Sequence, residues 1–323
     1  MSITPSVRSP SMPLALRPLG VPRRECGALA GPVLLATDGS EATTGATRVT
    51  AALVRARHAR VGVLSVVPST RGPARPLADD MTGRVDDAAM CALRADVDAA
   101  VGYVTSWPLQ LATGTPAEAI CREAHYRAAG MIVMGLRHHD TLDRVLREET
   151  TLLVVRRGGI PVLAVTPLLA DLPRRVVVAV DFSRGSLRAA RAACSIVAEG
   201  GTLSLVHVQP EVDSRCEELD GLQASYAQGV VGALARLASE LRVPAGVTVD
   251  TVVLRGAPAG ALLDFSERAD AELIAVGSQG HEITQRPGPG SVTTGLVRDG
   301  RCSLLVTPPF PPDRPRADGT RPL

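Results

Sequence analysis

The chain repeats itself, and that repeat narrows the folds open to it more than any other feature. Val33-Leu-Leu-Ala-Thr-Asp38 returns as Val176-Val-Val-Ala-Val-Asp181, an offset of 143 residues. Gly114-Thr-Pro-Ala-Glu-Ala returns at Gly256-Ala-Pro-Ala-Gly-Ala, and Met131-Ile-Val-Met-Gly135 at Leu273-Ile-Ala-Val-Gly277, both at 142. Val162-Leu-Ala-Val-Thr-Pro167 returns at Ser303-Leu-Leu-Val-Thr-Pro308 with an offset of 141. Landmarks that keep one order and slip by two residues mark a duplicated domain, expected over 31–168 and 175–308 with a linker at 169–174. Residues 1–30 and 309–323 carry Pro, Ser and Arg without apolar periodicity and read as disordered tails.

Within each copy, short β-branched runs alternate with Ala/Leu/Arg stretches of helical length. This is the pattern of an α/β domain, a parallel sheet with helices on both faces. Strands are expected near 33–37, 61–67, 108–112, 131–135 and 161–166, and again near 175–180, 202–208, 247–254, 272–277 and 303–307. No run of 18 apolar residues and no leader pattern is present, so no membrane span is expected and the cytoplasm is the default location. Cys26, Cys91, Cys121, Cys194, Cys216 and Cys302 are far apart, without metal-ligand spacing, and read as free thiols.

All 35 basic residues are arginine. The absence of lysine excludes a lysine-bearing P-loop, a pyridoxal Schiff base and any catalytic lysine. The arginines are scattered and aromatic residues make up only 2% of the chain, so nucleic-acid binding is not favoured.

Ligands of open α/β sheets bind beyond the carboxyl ends of the strands, so the loops after the strands are the places to search. Two stand out in the second copy. After its first strand comes Asp181-Phe-Ser183; after its fourth comes Gly277-x2-Gly280, nine residues, and Gly290-Ser291. Glycines let backbone N–H groups approach phosphate oxygens, and Ser291 adds a hydroxyl where a helix is expected to start. A carboxylate at the end of the first strand suits a nucleoside's amino or hydroxyl donors instead. Taken singly, Asp181 also reads as a helix N-cap, and Gly277 and Gly280 as turn residues.

Together with Leu205-Val-His-Val208 and Gly256-Ala-Pro258, these motifs resemble the ATP-binding branch of the universal stress protein family, over about residues 31–308. The resemblance implies a five-stranded parallel sheet in the order 3-2-1-4-5 in each copy, with ATP and magnesium across the ends of strands one and four. It further implies that Ala179, Val180 and Asp181 meet the nucleoside and that Val208 meets the adenine edge through its backbone. Gly277, Gly280, Gly290, Ser291 and Val292 would then surround the triphosphate. The spacer departs from the family's helical filling, ending Arg286-Pro-Gly-Pro-Gly290; Arg286 reads as a solvated loop residue, with a phosphate partner as the alternative. His207 reads as a packed strand residue.

The first copy keeps Asp38-Gly-Ser40 but not the glycine frame: His138 takes the second glycine's place, and Glu148-Glu149 takes that of the Gly-Ser pair. Two carboxylates would repel a triphosphate, so no ATP is expected there. His138, His139 and Asp140 read as an exposed cluster rather than a metal site.

The expected function is that of a nucleotide-responsive stress or signalling protein acting on a protein partner. No placed general base, acidic magnesium ligand or nucleophile marks an efficient enzyme. The alternatives are an interaction module that binds no nucleotide and, least favoured, an adenylate-transfer enzyme, whose Ser-Gly-Gly-x-Asp-Ser loop is missing. The resemblance also implies fifth-strand pairing between the copies, an intramolecular pseudo-dimer, with a further homodimer left open.

Overall fold

The computed structural model describes residues 31–68, 75–76, 83–136, 141–209, 217–279 and 290–308. The first repeat runs β1 (Val33–Ala36), α1 (Glu41–Arg57), β2 (Val61–Pro68), a short β3 (Arg75–Pro76), α2 (Gly83–Val101), β4 (Leu109–Gly114), α3 (Pro116–Tyr126), β5 (Met131–Gly135), α4 (Thr141–Gly158) and β6 (Val162–Val165). The second runs β7 (Arg175–Ala179), α5 (Arg184–Ile196), β8 (Thr202–Gln209), α6 (Glu217–Glu240), β9 (Thr248–Arg255), α7 (Pro258–Arg268), β10 (Leu273–Gly277), α8 (Ser291–Asp299) and β11 (Ser303–Thr307). The expected tails, 1–30 and 309–323, lie outside the described residues.

Each repeat forms the implied order: β4-β2-β1-β5-β6 in the first and β9-β8-β7-β10-β11 in the second, parallel throughout. The two halves do not stand apart as separate sheets. β6 and β11 pair antiparallel, with Leu163 opposite Leu305 and Val162 opposite Val306, and merge them into one 11-stranded sheet. This internal pairing uses the fifth-strand edges that would otherwise be open templates for another chain. β3, which no apolar run announces, adds an antiparallel edge to β4 through Arg75 and Pro76.

The strands are apolar on both faces because both are covered. Val33 and Leu35 enter one core with Leu203 and Leu205, while Leu34 and Ala36 enter the opposite core with Val206 and Ile274. Burying each such large aliphatic side chain stabilises the fold by about 1.5–3 kcal/mol before entropy is counted. Both cores run across the junction between the repeats.

Polar groups also close that junction. The Ser303 hydroxyl, fully buried, accepts the Thr166 N–H at 3.1 Å. Arg57, in the last turn of α1, donates to the carbonyls of Ser195 (3.1 Å) and Val197 (2.9 Å), at the C-terminal end of α5. A guanidinium there satisfies carbonyls that the helix leaves unpaired and opposes the negative end of its dipole.

Candidate functional site

The turn after β7 is built from its own side chains. Ser183 Oγ accepts the Ser186 N–H at 3.2 Å and is the N-cap of α5. Asp181 therefore does not take the N-cap role that its sequence position allows. It stands two residues earlier, and its Oδ1 accepts the Ser183 N–H at 2.9 Å, while its own N–H donates to Ser186 Oγ at 3.3 Å. Between them Phe182 holds φ at +61°, a left-handed conformation that costs a residue with a side chain about 1–2 kcal/mol.

β8 runs on past the end of β7. The last sheet pair is Ala179 with Val206, and the Val180 N–H donates to the Val206 carbonyl at 2.8 Å. Strand backbone groups alternate in direction, so the N–H and C=O of Val208 point to the same side as those of Val206, beyond the point where β7 has left the sheet. Val180 is engaged at both polar groups, since its carbonyl also accepts from His207 Nδ1 at 2.7 Å. His207 and Gln209, on one face of β8, each bury a side-chain nitrogen with no partner among the described residues. Burial and the bond to Val180 place His207 within the packed strand.

The loop after β10 is pinched at its base. Ser278 accepts the Gly290 N–H at 2.7 Å, and the Thr293 hydroxyl donates to the Gly277 carbonyl at 3.0 Å. Helix α8 starts at Ser291, as the sequence indicates, with Gly290 as an N-cap that offers no side-chain bond. The first intrahelical donor is the Thr294 N–H, which bonds the Gly290 carbonyl at 3.0 Å. The N–H groups of Ser291, Val292 and Thr293 thus form the donor-bearing first turn, where negative charge is favoured. Gly280 and Arg286 lie outside the described residues.

The glycines separate into two kinds. A Cβ on Gly277 would lie 2.7 Å from the Gly185 carbonyl carbon and 2.8 Å from the Ser186 nitrogen, so this glycine lets α5 approach β10. That approach sets the loops after the first and fourth strands side by side. Gly185 makes the matching approach, with a Cβ falling 3.0 Å from the Gln279 carbonyl oxygen. Its sequence signal was a glycine in the first turn of a helix, where helix propensity disfavours it. Gly290 differs: its φ is −65°, and a Cβ there would meet only the Ser278 oxygen at an ordinary 3.7 Å. Neither backbone nor packing among the described residues demands that glycine.

The first repeat keeps the same turn with a different loop. The Ser40 N–H donates to Asp38 Oδ1 at 3.0 Å, repeating the Ser183–Asp181 bond. Gly135 is required for packing, a Cβ there lying 2.6 Å from the Ala42 carbonyl oxygen. α4, however, already begins at Thr141, so positions 148 and 149 lie two turns inside a helix. Their backbone N–H groups are committed to the helix where those of Ser291 and Val292 begin one. His138, His139 and Asp140 lie outside the described residues, and the described residues hold no cluster of metal-ligating side chains. No described helix is long and apolar enough to cross a membrane.

The sequence model of the universal stress protein family matches residues 30–166 and again 173–308. A universal stress protein of Methanocaldococcus jannaschii is 29% identical over 144 residues, which span 42% of this chain and 82% of that protein. Among solved structures, a universal stress protein from Archaeoglobus fulgidus superposes with a TM-score of 0.57 at 23% identity, covering 86% of this chain and 96% of that one. A functionally unknown protein from Pseudomonas aeruginosa superposes with a TM-score of 0.56 at 14% identity, over 87% and 94% of the two chains.

Proposed function

We propose, from the premise that this chain belongs to the universal stress protein family, that its second repeat binds ATP with magnesium and that nucleotide occupancy regulates the protein's affinity for a partner protein. The observation that carries the reading is Gly290: a glycine that packing among the described residues does not require, at the start of α8, beside the Asp181 turn. A Cβ-free approach to the first N–H groups of a helix is what a phosphate needs.

In this reading the N–H groups of Ser291 and Val292, the Ser291 hydroxyl and the backbone at Gly290, with Gly280, hold the phosphates. Gly277 acts by bringing α5 close. The Val208 N–H and C=O, beyond the end of β7, read the adenine edge, and Asp181 and the backbone at Ala179 and Val180 lie at the nucleoside. Bound ATP would supply a polyanion whose charge the α8 dipole and N–H groups offset. No described side chain stands as a general base for its hydrolysis, so we assign a binding role with turnover slow at most. The first repeat is assigned no nucleotide, because its equivalent backbone is helix interior. Among the described residues the thiols of Cys91, Cys121 and Cys302 are not in disulfides, which supports a cytoplasmic setting.

Calorimetric titration of magnesium ATP into the full chain tests the reading, alongside a Gly290→Glu, Ser291→Glu variant that copies the first repeat. One site per chain, lost in the variant, is expected. Wild-type protein that binds no nucleotide would overturn it and leave an interaction module.

A further inference from the structure

Resting on the nucleotide reading, we infer that His207 is the positioning residue of the nucleoside end: its imidazole, set against Phe182, holds the Val180 carbonyl and thereby aims the Asp181 turn. His207 is 6% exposed, and its Nδ1 lies 2.7 Å from the Val180 oxygen. A carbonyl oxygen only accepts, so Nδ1 carries the hydrogen. This bond fastens β8 to the chain one residue beyond the last sheet pair, Ala179 with Val206, and immediately before Asp181. The Phe182 ring centroid lies 5.3 Å from that of His207, and the Tyr226 centroid 6.5 Å. The chain has three Phe, three Tyr and one Trp, so two of its few aromatic rings gather on this one histidine.

The first repeat is an internal control. Ala36 pairs with Leu64 as Ala179 pairs with Val206, which puts Ser65 in the place of His207 and Gly39 in that of Phe182. The sheet closes equally well without the histidine: the Thr37 N–H donates to the Leu64 carbonyl at 3.0 Å, matching the bond from Val180 to Val206. Gly39 takes the left-handed turn position, φ +75°, that Phe182 takes against its preference. A side chain at Gly39 would meet Asp96 instead, its Cβ falling 2.5 Å from Oδ2. The imidazole strut and the ring over it therefore occur in the repeat that carries the glycine frame and are missing from the repeat that lost it. The Asp–Ser bond of the turn forms in both repeats, so what the strut adds is a second hold on the chain, at the Val180 carbonyl immediately before Asp181, and on this inference that hold sets how Asp181 meets the nucleoside.

The test is calorimetric titration of magnesium ATP and magnesium tripolyphosphate into the wild type, His207→Leu and His207→Asn, with melting curves for each protein. Asn keeps an N–H donor near the position of Nδ1. His207→Leu is expected to weaken ATP by at least about tenfold while leaving tripolyphosphate, which has no nucleoside, as in the wild type. His207→Asn is expected to recover most of the ATP affinity, which a loss of packing would not allow. ATP binding unchanged in His207→Leu, or equal losses of both ligands, would overturn the inference. Should His207→Leu not fold, Phe182→Gly, which installs the first repeat's turn residue, is expected to show the same selective loss of ATP, and unchanged ATP affinity there would overturn it. Wild-type protein that takes up neither ligand would overturn the nucleotide reading itself, and this inference with it.

Discussion

The Thr293 hydroxyl donates to the carbonyl of Gly277 across 3.0 Å, tying the first turn of α8 to the end of β10. Thr151, 142 positions earlier on α4, buries its hydroxyl with no partner among the described residues. The two repeats thus present the same side chain in opposite hydrogen-bonding states.

Thr293→Val should cost about 1–3 kcal/mol, because it removes the donor and leaves a buried carbonyl short of a partner. Thr151→Val should be neutral or mildly stabilising, since it removes an unpaired buried hydroxyl. Urea denaturation of the two variants checks this, and equal losses would show that the Thr293 bond contributes nothing specific.

Alanine at the glycines should separate packing from binding. Gly277→Ala and Gly135→Ala force a Cβ to within 2.7 Å of Gly185 and 2.6 Å of Ala42, respectively, so both should destabilise by about 1–3 kcal/mol. Among the described residues Gly290→Ala meets nothing closer than 3.7 Å and should melt like the wild type or slightly higher, while on the proposed nucleotide reading it weakens ATP binding. Melting curves and calorimetry on the three variants read the contrast.

Ser303→Ala should loosen the junction between the repeats. The buried Thr166 N–H then loses its acceptor, at a cost of about 1–3 kcal/mol. Faster amide exchange at Thr166 and neighbouring β6 positions is the direct readout; protection equal to the wild type would count against the bond.

Thiol chemistry should divide by burial. Burial pushes the Cys121 thiol up to about 11, and it pushes the Cys302 thiol up to about 11. Both stay protonated at pH 8, and the thiolate is the reactive form, so iodoacetamide should modify them slowly. Cys91 is exposed and should react before the other described cysteines. Peptide mapping after timed labelling checks the order, and early loss of Cys121 would show that α3 opens readily.

Some of the candidate site is legible in the sequence. Ser291 begins a helix, and Asp181 opens the loop after the second repeat's first strand, because capping and strand ends are local events written in a few neighbouring residues. The role of Asp181 in the turn is not, since both Asp181 and Ser183 are competent caps and only the path of the chain chooses Ser183. Phe182 carried no sign of its left-handed backbone, which its surroundings impose. The motif's glycines looked alike in sequence; Gly277 proves to be occupied by the approach of α5, and Gly290 does not.

By itself the sequence determined the duplication, the α/β class and the positions of the ten long strands, because apolar runs and repeated text need no knowledge of what lies across the fold. The family resemblance implied that the fifth strands pair; only the tertiary structure decided the antiparallel register in which β6 meets β11, that β3 guards one edge, and that His207 reaches Val180. Those outcomes depend on which groups distant along the chain come within hydrogen-bond or van der Waals distance, and that is a property of the packed molecule rather than of any local stretch of it.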